Sequence, residues 1–191
     1  MESRYDGVPD GLEFRSYRSL SKTEVADFSN QFYQDTKRDM RNYEPVVAPH
    51  TLLGKLERNE YLDYWFGFVN GSLVLGGGCW QHSPDTIVLL ARLAVLPAFR
   101  MHLLIQHLLR KQVSEYSAYE TARITFNTHN VSLYHWFERQ ARGQSGSVGS
   151  PWPPIFSAFR PHGVEVVNHM PQYVCSARMA DLLSFSVADS C

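Results

Sequence analysis

Arg100 stands where an apolar, strand-like run (residues 86–96) passes through Pro97 into an amphipathic helical run that opens at Met101. A strand, a tight turn and a helix N-terminus in that order gather backbone N–H groups that have no partner inside the helix. Such a cluster draws an anion. The residues that would line it are Val95, Arg100, Met101, His102, Leu103, Leu104 and Ile105. The alternative is purely structural, a strand and helix packed for stability with Arg100 a solvated cation of the first turn. The eight histidines do not read as metal ligands. His102 and His107 are five apart on one helix, His129 and His135 straddle a helix start, and no zinc-site spacing is present, so no metal is expected. Gly76-Gly77-Gly78 falls inside a strand, where glycine weakens the ladder; a bulge is the simplest reading, a close backbone contact or room for a ligand the others. Trp152, between Pro151 and Pro153 in a Gly/Ser/Pro loop over 143–154, is a candidate partner anchor or a lid on the core.

These residues need elements to hold them. LEFRSY (12–17) alternates as a first strand would. Ser21-Lys22-Thr23-Glu24 has the capping-box pattern, and Val25, Phe28 and Phe32 continue it at helical spacing to about residue 38. Pro45 and Pro49 break the chain before a short helix over 51–58. Residues 61–69 and 72–80 flank Asn70-Gly71, the preferred pair for a two-residue hairpin turn. Another turn at Ser83-Pro84-Asp85 leads into the strand over 86–96. The helix after it carries Met101, Leu104, Ile105, Leu108, Leu109, Val113 and Tyr116 on one stripe. A strand over 123–126, a helix over 132–140, and closing strands over 164–169 and 172–179 follow, leaving residues 180–191 as an apolar tail.

The order βααβββαβαββ, with Val95, Pro97 and Arg100 in register, resembles the GNAT superfamily of N-acetyltransferases over roughly residues 12–179. The resemblance implies an α+β (α/β) fold, a mixed, mostly antiparallel twisted sheet flanked by about four helices. It implies one domain over residues 1–179. In that family the turn reads Val-x-Pro-x-x-Arg-Gly-x-Gly-x-Gly/Ala and holds the pyrophosphate of acetyl-CoA. Met101, Leu103 and Ile105 stand here where the glycines would be. A second family pattern runs from an Asn to a Tyr seven residues on, which protonates the departing thiolate. From Asn130 this register puts Phe137 in the tyrosine place; from Asn127 it puts Tyr134 there. The first register fits the strand length and the following Glu138-Arg139 better. Tyr134 then lies one turn earlier on nearly the same face. The family's carboxylate base has no counterpart on the strand over 86–96, which carries Arg92 instead; Asp85, His82 and Glu60 are the other conceivable bases.

Composition narrows the classes further. A net charge of −1 gives no nucleic-acid or membrane-surface signal, and no apolar run is long enough to span a bilayer. The N-terminus lacks a signal-peptide core, and three cysteines without CxxC spacing fit a reducing compartment. The expected location is the cytoplasm or a virion. Two functions follow. The altered loop, Phe137 and the apolar tail favour a GNAT-fold protein that no longer catalyses and acts as a structural or interaction subunit with protein partners, conceivably in a phage virion. The retained Val95-Pro97-Arg100 frame favours an active enzyme that moves acetyl from acetyl-CoA to a primary amine of a small molecule or protein.

Overall fold

A computed structural model describes residues 10–36, 49–96, 98–99, 104–127, 131–141, 154–167 and 170–187. Seven strands hydrogen-bond in the order β1-β2-β3-β4-β5-β7-β6, and five α-helices accompany them among the described residues. The mixed, mostly antiparallel sheet is the one expected. The chain divides into two compact units, one of Met1–Trp80 with Leu90–Leu109 and the other of Gln81–Leu89 with Arg110–Cys191.

In the first unit, β1 (Leu12–Ser16) pairs antiparallel with β2 (Asp63–Val69), and β2 with β3 (Ser72–Ser83). Asn70 (φ 50°) and Gly71 (φ 77°) form the expected tight turn, both in the left-handed region that this turn requires. β2 is buried on both faces from Asp63 to Phe68, which explains why its apolar run does not alternate. Helix α1 (Lys22–Thr36) begins with a capping box in which Glu24 N–H donates to Ser21 Oγ (3.2 Å) and Ser21 N–H to Glu24 Oε2 (2.8 Å). Val25 and Phe32 are buried on its inner stripe. Helix α2 (Pro49–Glu57) starts at the proline that the sequence marks as a break, because proline's missing N–H costs nothing in a first turn. Phe28, Phe32, Tyr61, Tyr64, Phe66 and Phe68 form an aromatic core with Leu52 and Leu56.

The glycine triplet has a clear reason. Gly76, Gly77 and Gly78 stay in regular register against Phe66, Trp65 and Tyr64, so the expected bulge is not there; the register shift lies at Gly67/Phe68. A Cβ on Gly76 would sit 2.8 Å from Phe32 Cε2, and one on Gly78 2.8 Å from both Tyr61 Cδ1 and Tyr64 Cδ2. A Cβ on Gly77, on the other face, would come 3.0 Å from Leu108 Cδ2 of helix α3 (Ile105–Glu115). Packing fills the space that a ligand reading would need.

In the second unit, the first residues of β4 (Thr86–Val95) pair in parallel with β5 (Thr121–Asn127), from Thr86↔Thr121 to Val88↔Arg123. β7 (Met170–Arg178) lies antiparallel between β5 and β6 (Arg160–Val167). Helix α4 (Val131–Ala141) buries Phe137 against Phe126, Phe156 and Phe159. The segment expected as a tail forms a helix instead, α5 (Met179–Val187). Met179 and Leu182 are buried, and the helix packs on β7 and on the turn Pro154–Ala158. Leu183 and Phe185 are half-buried.

Candidate functional site

In the first unit, β4 departs from extended backbone at two non-glycine residues, Leu90 (φ 54°) and Arg92 (φ 48°). Each costs an L residue about 1–3 kcal/mol and needs its surroundings to hold it. Arg92 is held at both ends. The Tyr64 hydroxyl donates to its carbonyl (3.0 Å), and its guanidinium bonds the Tyr61 phenol. Burial pushes the Tyr61 phenol up to about 12 against the opposing pull of Arg92, with Glu60 adding to the rise. Tyr64, fully buried, is pushed up further by burial and by Tyr61. Both phenols are thus protonated donors across the ordinary pH range. Ala91, Arg92 and Leu93 are half-buried, between the buried Leu90 and Ala94. The strand therefore departs from regular extended geometry at this point, and the carbonyl of Arg92 meets the Tyr64 hydroxyl; irregular strand backbone of this kind recurs beside active sites.

Further along, Val95 is half-buried, Leu96 N–H returns to Val74 O (2.9 Å), and Phe99 N–H closes a turn on Leu96 O (2.8 Å). Leu104 precedes α3, its carbonyl accepting from His107 (3.1 Å) and Leu108 (3.3 Å) and its side chain buried. Ile105 is then the first helical residue, and its N–H is one of those a helix leaves unpaired within itself. Its side chain is half-buried, less covered than the stripe predicts, because it stands at the helix start. Pro97, Arg100, Met101, His102, Leu103 and Asn130 lie outside the described residues.

Tyr134 belongs to the second unit. It is buried in the first turn of α4, its ring 4.5 Å from that of Tyr173 on β7. Desolvation raises its pKa, and Glu138, Cys175 and Tyr173 add to the rise. Phe137, in the tyrosine place of the other register, is fully buried among aromatic rings and is a core residue. Of the three conceivable bases, Glu60 pairs with Lys55 (2.6 Å) and Arg58 (2.7 Å), and these cations hold its carboxyl below the ordinary range. His82 accepts from the guanidinium of Arg123, and Asp85 is an exposed turn residue whose carbonyl accepts from Thr121 N–H (3.1 Å).

Arg123 was not legible as a special residue, although an arginine inside the apolar strand ARITF was its signal. Its side chain is only 10% exposed and ties His82 to Glu165, while its Nε has no partner among the described residues. No group of three or more His, Cys, Asp or Glu side chains gathers as metal ligands among the described residues. Cys79 and Cys175 are separate buried thiols, both pushed up by burial, Cys175 to about 12. No described helix is long and apolar enough to cross a membrane.

With this geometry in place, the chain can be compared with known structures. It resembles a spermidine N-acetyltransferase from Vibrio cholerae (11% identity, TM-score 0.58, covering 92% of this chain and 98% of that one). It also resembles the ribosomal-protein-S18-alanine N-acetyltransferase of Escherichia coli (12% identity, TM-score 0.57, 88% and 94% covered). A third, the PaiA N-acetyltransferase from Thermoplasma acidophilum, was solved with coenzyme A (12% identity, TM-score 0.54, 87% and 98% covered). No model of a known protein family matches the sequence, and no curated protein matches it. The chain has the GNAT fold, and it has it at sequence identities that show the fold alone.

Proposed function

We propose that this protein is an N-acetyltransferase that moves acetyl from acetyl-CoA to a primary amine of a small molecule or protein. The observation that carries the proposal is the displaced backbone of β4. Leu90 and Arg92 occupy a conformation that costs stability, and two buried tyrosines secure Arg92 there. A fold with no use for that irregularity would lose nothing by straightening the strand. What supports a diphosphate-bearing donor is the start of α3, where Leu104 turns its side chain into the core and the Ile105 N–H is one of those a helix leaves unpaired within itself. In this reading, Val95 and the backbone of Arg100, Met101, His102, Leu103, Leu104 and Ile105 hold acetyl-CoA, with Arg100 adding charge and Asn130 flanking the donor. Tyr134 is the proton donor for the departing thiolate, since its phenol is kept protonated and Phe137 has no proton to give. Acetyl-CoA supplies an activated thioester. The protein supplies position and that proton.

A second reading, a non-catalytic subunit that acts through its surfaces, rests on the bulky loop side chains and on Phe137. The solved structures of like fold give it no support, nor a place in a virion, since those named above are acetyltransferases. Calorimetric titration of acetyl-CoA decides between the two. Micromolar binding that Arg100→Ala weakens by about 1–3 kcal/mol supports the enzyme, and Tyr134→Phe should then slow turnover while leaving that binding intact. No binding at millimolar acetyl-CoA would transfer the case to the second reading.

A further inference from the structure

Strand β6 ends the hydrogen-bonding order, paired on one side with β7 and with no strand beside its outer edge among the described residues. The two most exposed large apolar side chains among the described residues, Val166 (73%) and Val164 (55%), both belong to it. We infer that this edge is the interface of a two-fold dimer, in which β6 of one copy pairs antiparallel with β6 of a second copy about Glu165. Edge strands that must stay single are blunted by charge, by proline or by a bulge. At the opposite end of the order, β1 exposes Glu13 and Arg15. β6 has such protection only at its start, where Pro161 and a register shift before Gly163 (φ 142°) interrupt the ladder. From Gly163 to Val167 its pairing with β7 is regular.

The pairing pattern shows which groups this edge offers. In an antiparallel pair, residues that exchange both backbone bonds with their opposite alternate with residues that turn N–H and C=O away. Val166 stands opposite Pro171, which has no N–H to give, so this pair is of the second kind. Val164, two residues back and opposite Tyr173, is then of the same kind. The N–H and C=O of Val164 and Val166 therefore point outward, beside their exposed side chains. A second strand answers both features, and a second copy of β6 answers them in one register. The regular segment Gly163–Val167 is centred on Glu165, so a two-fold axis there overlaps its whole length. Val164 of each copy then meets Val166 of the other, with both bonds exchanged in each pair. Any other centre runs part of the segment against the register shift or past the end of β6. The axis also sets Glu165 opposite its own copy, where like charges repel. Each carboxylate, however, already accepts from the guanidinium of Arg123, only 8% exposed, so two ion pairs meet rather than two bare charges. No residue assigned to acetyl-CoA or to thiolate protonation lies on this edge, so the dimer is tested apart from that reading.

Sedimentation velocity on the full chain, from micromolar to submillimolar concentration, should show a monomer–dimer equilibrium. Val166→Lys alters a side chain that already faces water, so its thermal melt should match the wild type. Its dimer dissociation constant should rise about tenfold or more, because a charge replaces an apolar cross-strand partner on both sides of the axis. Hydrogen exchange reads the backbone directly. The amides of Val164 and Val166 should be slowed at concentrations where the dimer forms, and should exchange freely on dilution or in Val166→Lys. A wild-type chain that stays monomeric throughout would overturn the inference. So would a dimer whose affinity Val166→Lys leaves unchanged, or one in which the Val164 and Val166 amides still exchange freely, since either would use another surface.

Discussion

Removing the Tyr64 hydroxyl tests the central feature of the candidate site with one oxygen atom. The ring is fully buried, so Tyr64→Phe leaves the aromatic packing against Tyr61 and Phe66 in place. What disappears is the 3.0 Å bond to the carbonyl of Arg92. A buried hydrogen bond lost from one side costs about 1–3 kcal/mol, because the remaining partner keeps its desolvation cost without its compensation. At ~2 kcal/mol, and with ~2–4 °C per kcal/mol for a chain of this size, the melting temperature falls by roughly 4–8 °C. Function should respond separately. With the clamp gone, Arg92 can relax from φ 48° toward extended backbone, which removes the strain and changes the course of β4 just before the candidate donor-binding turn. Acetyl-CoA affinity, measured by calorimetry well below the lowered melting temperature, should therefore drop. A melt indistinguishable from wild type would refute the structural argument. A lowered melt with unchanged acetyl-CoA affinity would leave the clamp standing and refute its link to donor binding.

Other consequences follow from packing and titration. Gly78→Ala places a methyl 2.8 Å from the rings of both Tyr61 and Tyr64, and should destabilise the protein by about 1–3 kcal/mol in urea unfolding; wild-type stability would mean those rings yield easily. Leu182→Ala empties a fully buried site in α5 and should cost about 2–5 kcal/mol, whereas a solvent-exposed tail would show no change. Alkaline pH should destabilise the fold. Burial raises Tyr61 from 10.0 and Cys175 from 9.0 to about 12 each, so the unfolded chain releases these protons first. Their contribution is complete below pH 9 and is lost as the pH rises to about 12. Unfolding free energies that stay flat over that interval would contradict the burial of both groups.

Local chemistry made much of the architecture legible. The capping box at Ser21, the Asn70-Gly71 turn and the helical stripe through Leu108, Leu109 and Val113 each act over a few residues, and each stands where the sequence predicts it. Element ends were less legible. β3 runs on to Ser83, β6 starts at Arg160, and the last residues turn into α5, because pairing partners and burial rather than propensity set those limits. The order of elements was enough to point to the GNAT fold. Tyr134 stood out as the proposed proton donor only through that resemblance, and its pKa is raised first by burial, then by Glu138 one turn on and by Cys175 and Tyr173, some forty residues away in the chain.

The tertiary structure alone decided the rest. Positive φ at Leu90 and Arg92 has no sequence signature, since both are ordinary strand-compatible side chains; Tyr61 and Tyr64, distant in the chain, meet the guanidinium and the carbonyl of Arg92. The glycine triplet read as a bulge because sequence shows a missing side chain but not what fills its place. Here three-dimensional packing sets Phe32, Tyr61 and Tyr64 against one face and Leu108 against the other. Arg123 likewise gains its meaning from His82 and Glu165, which lie 41 and 42 residues away. Sequence determines what each short segment prefers, because those preferences arise from neighbouring atoms along the chain. Contacts between distant segments arise only when the whole chain is packed, and it is these that hold β4 out of line and give the candidate site its form.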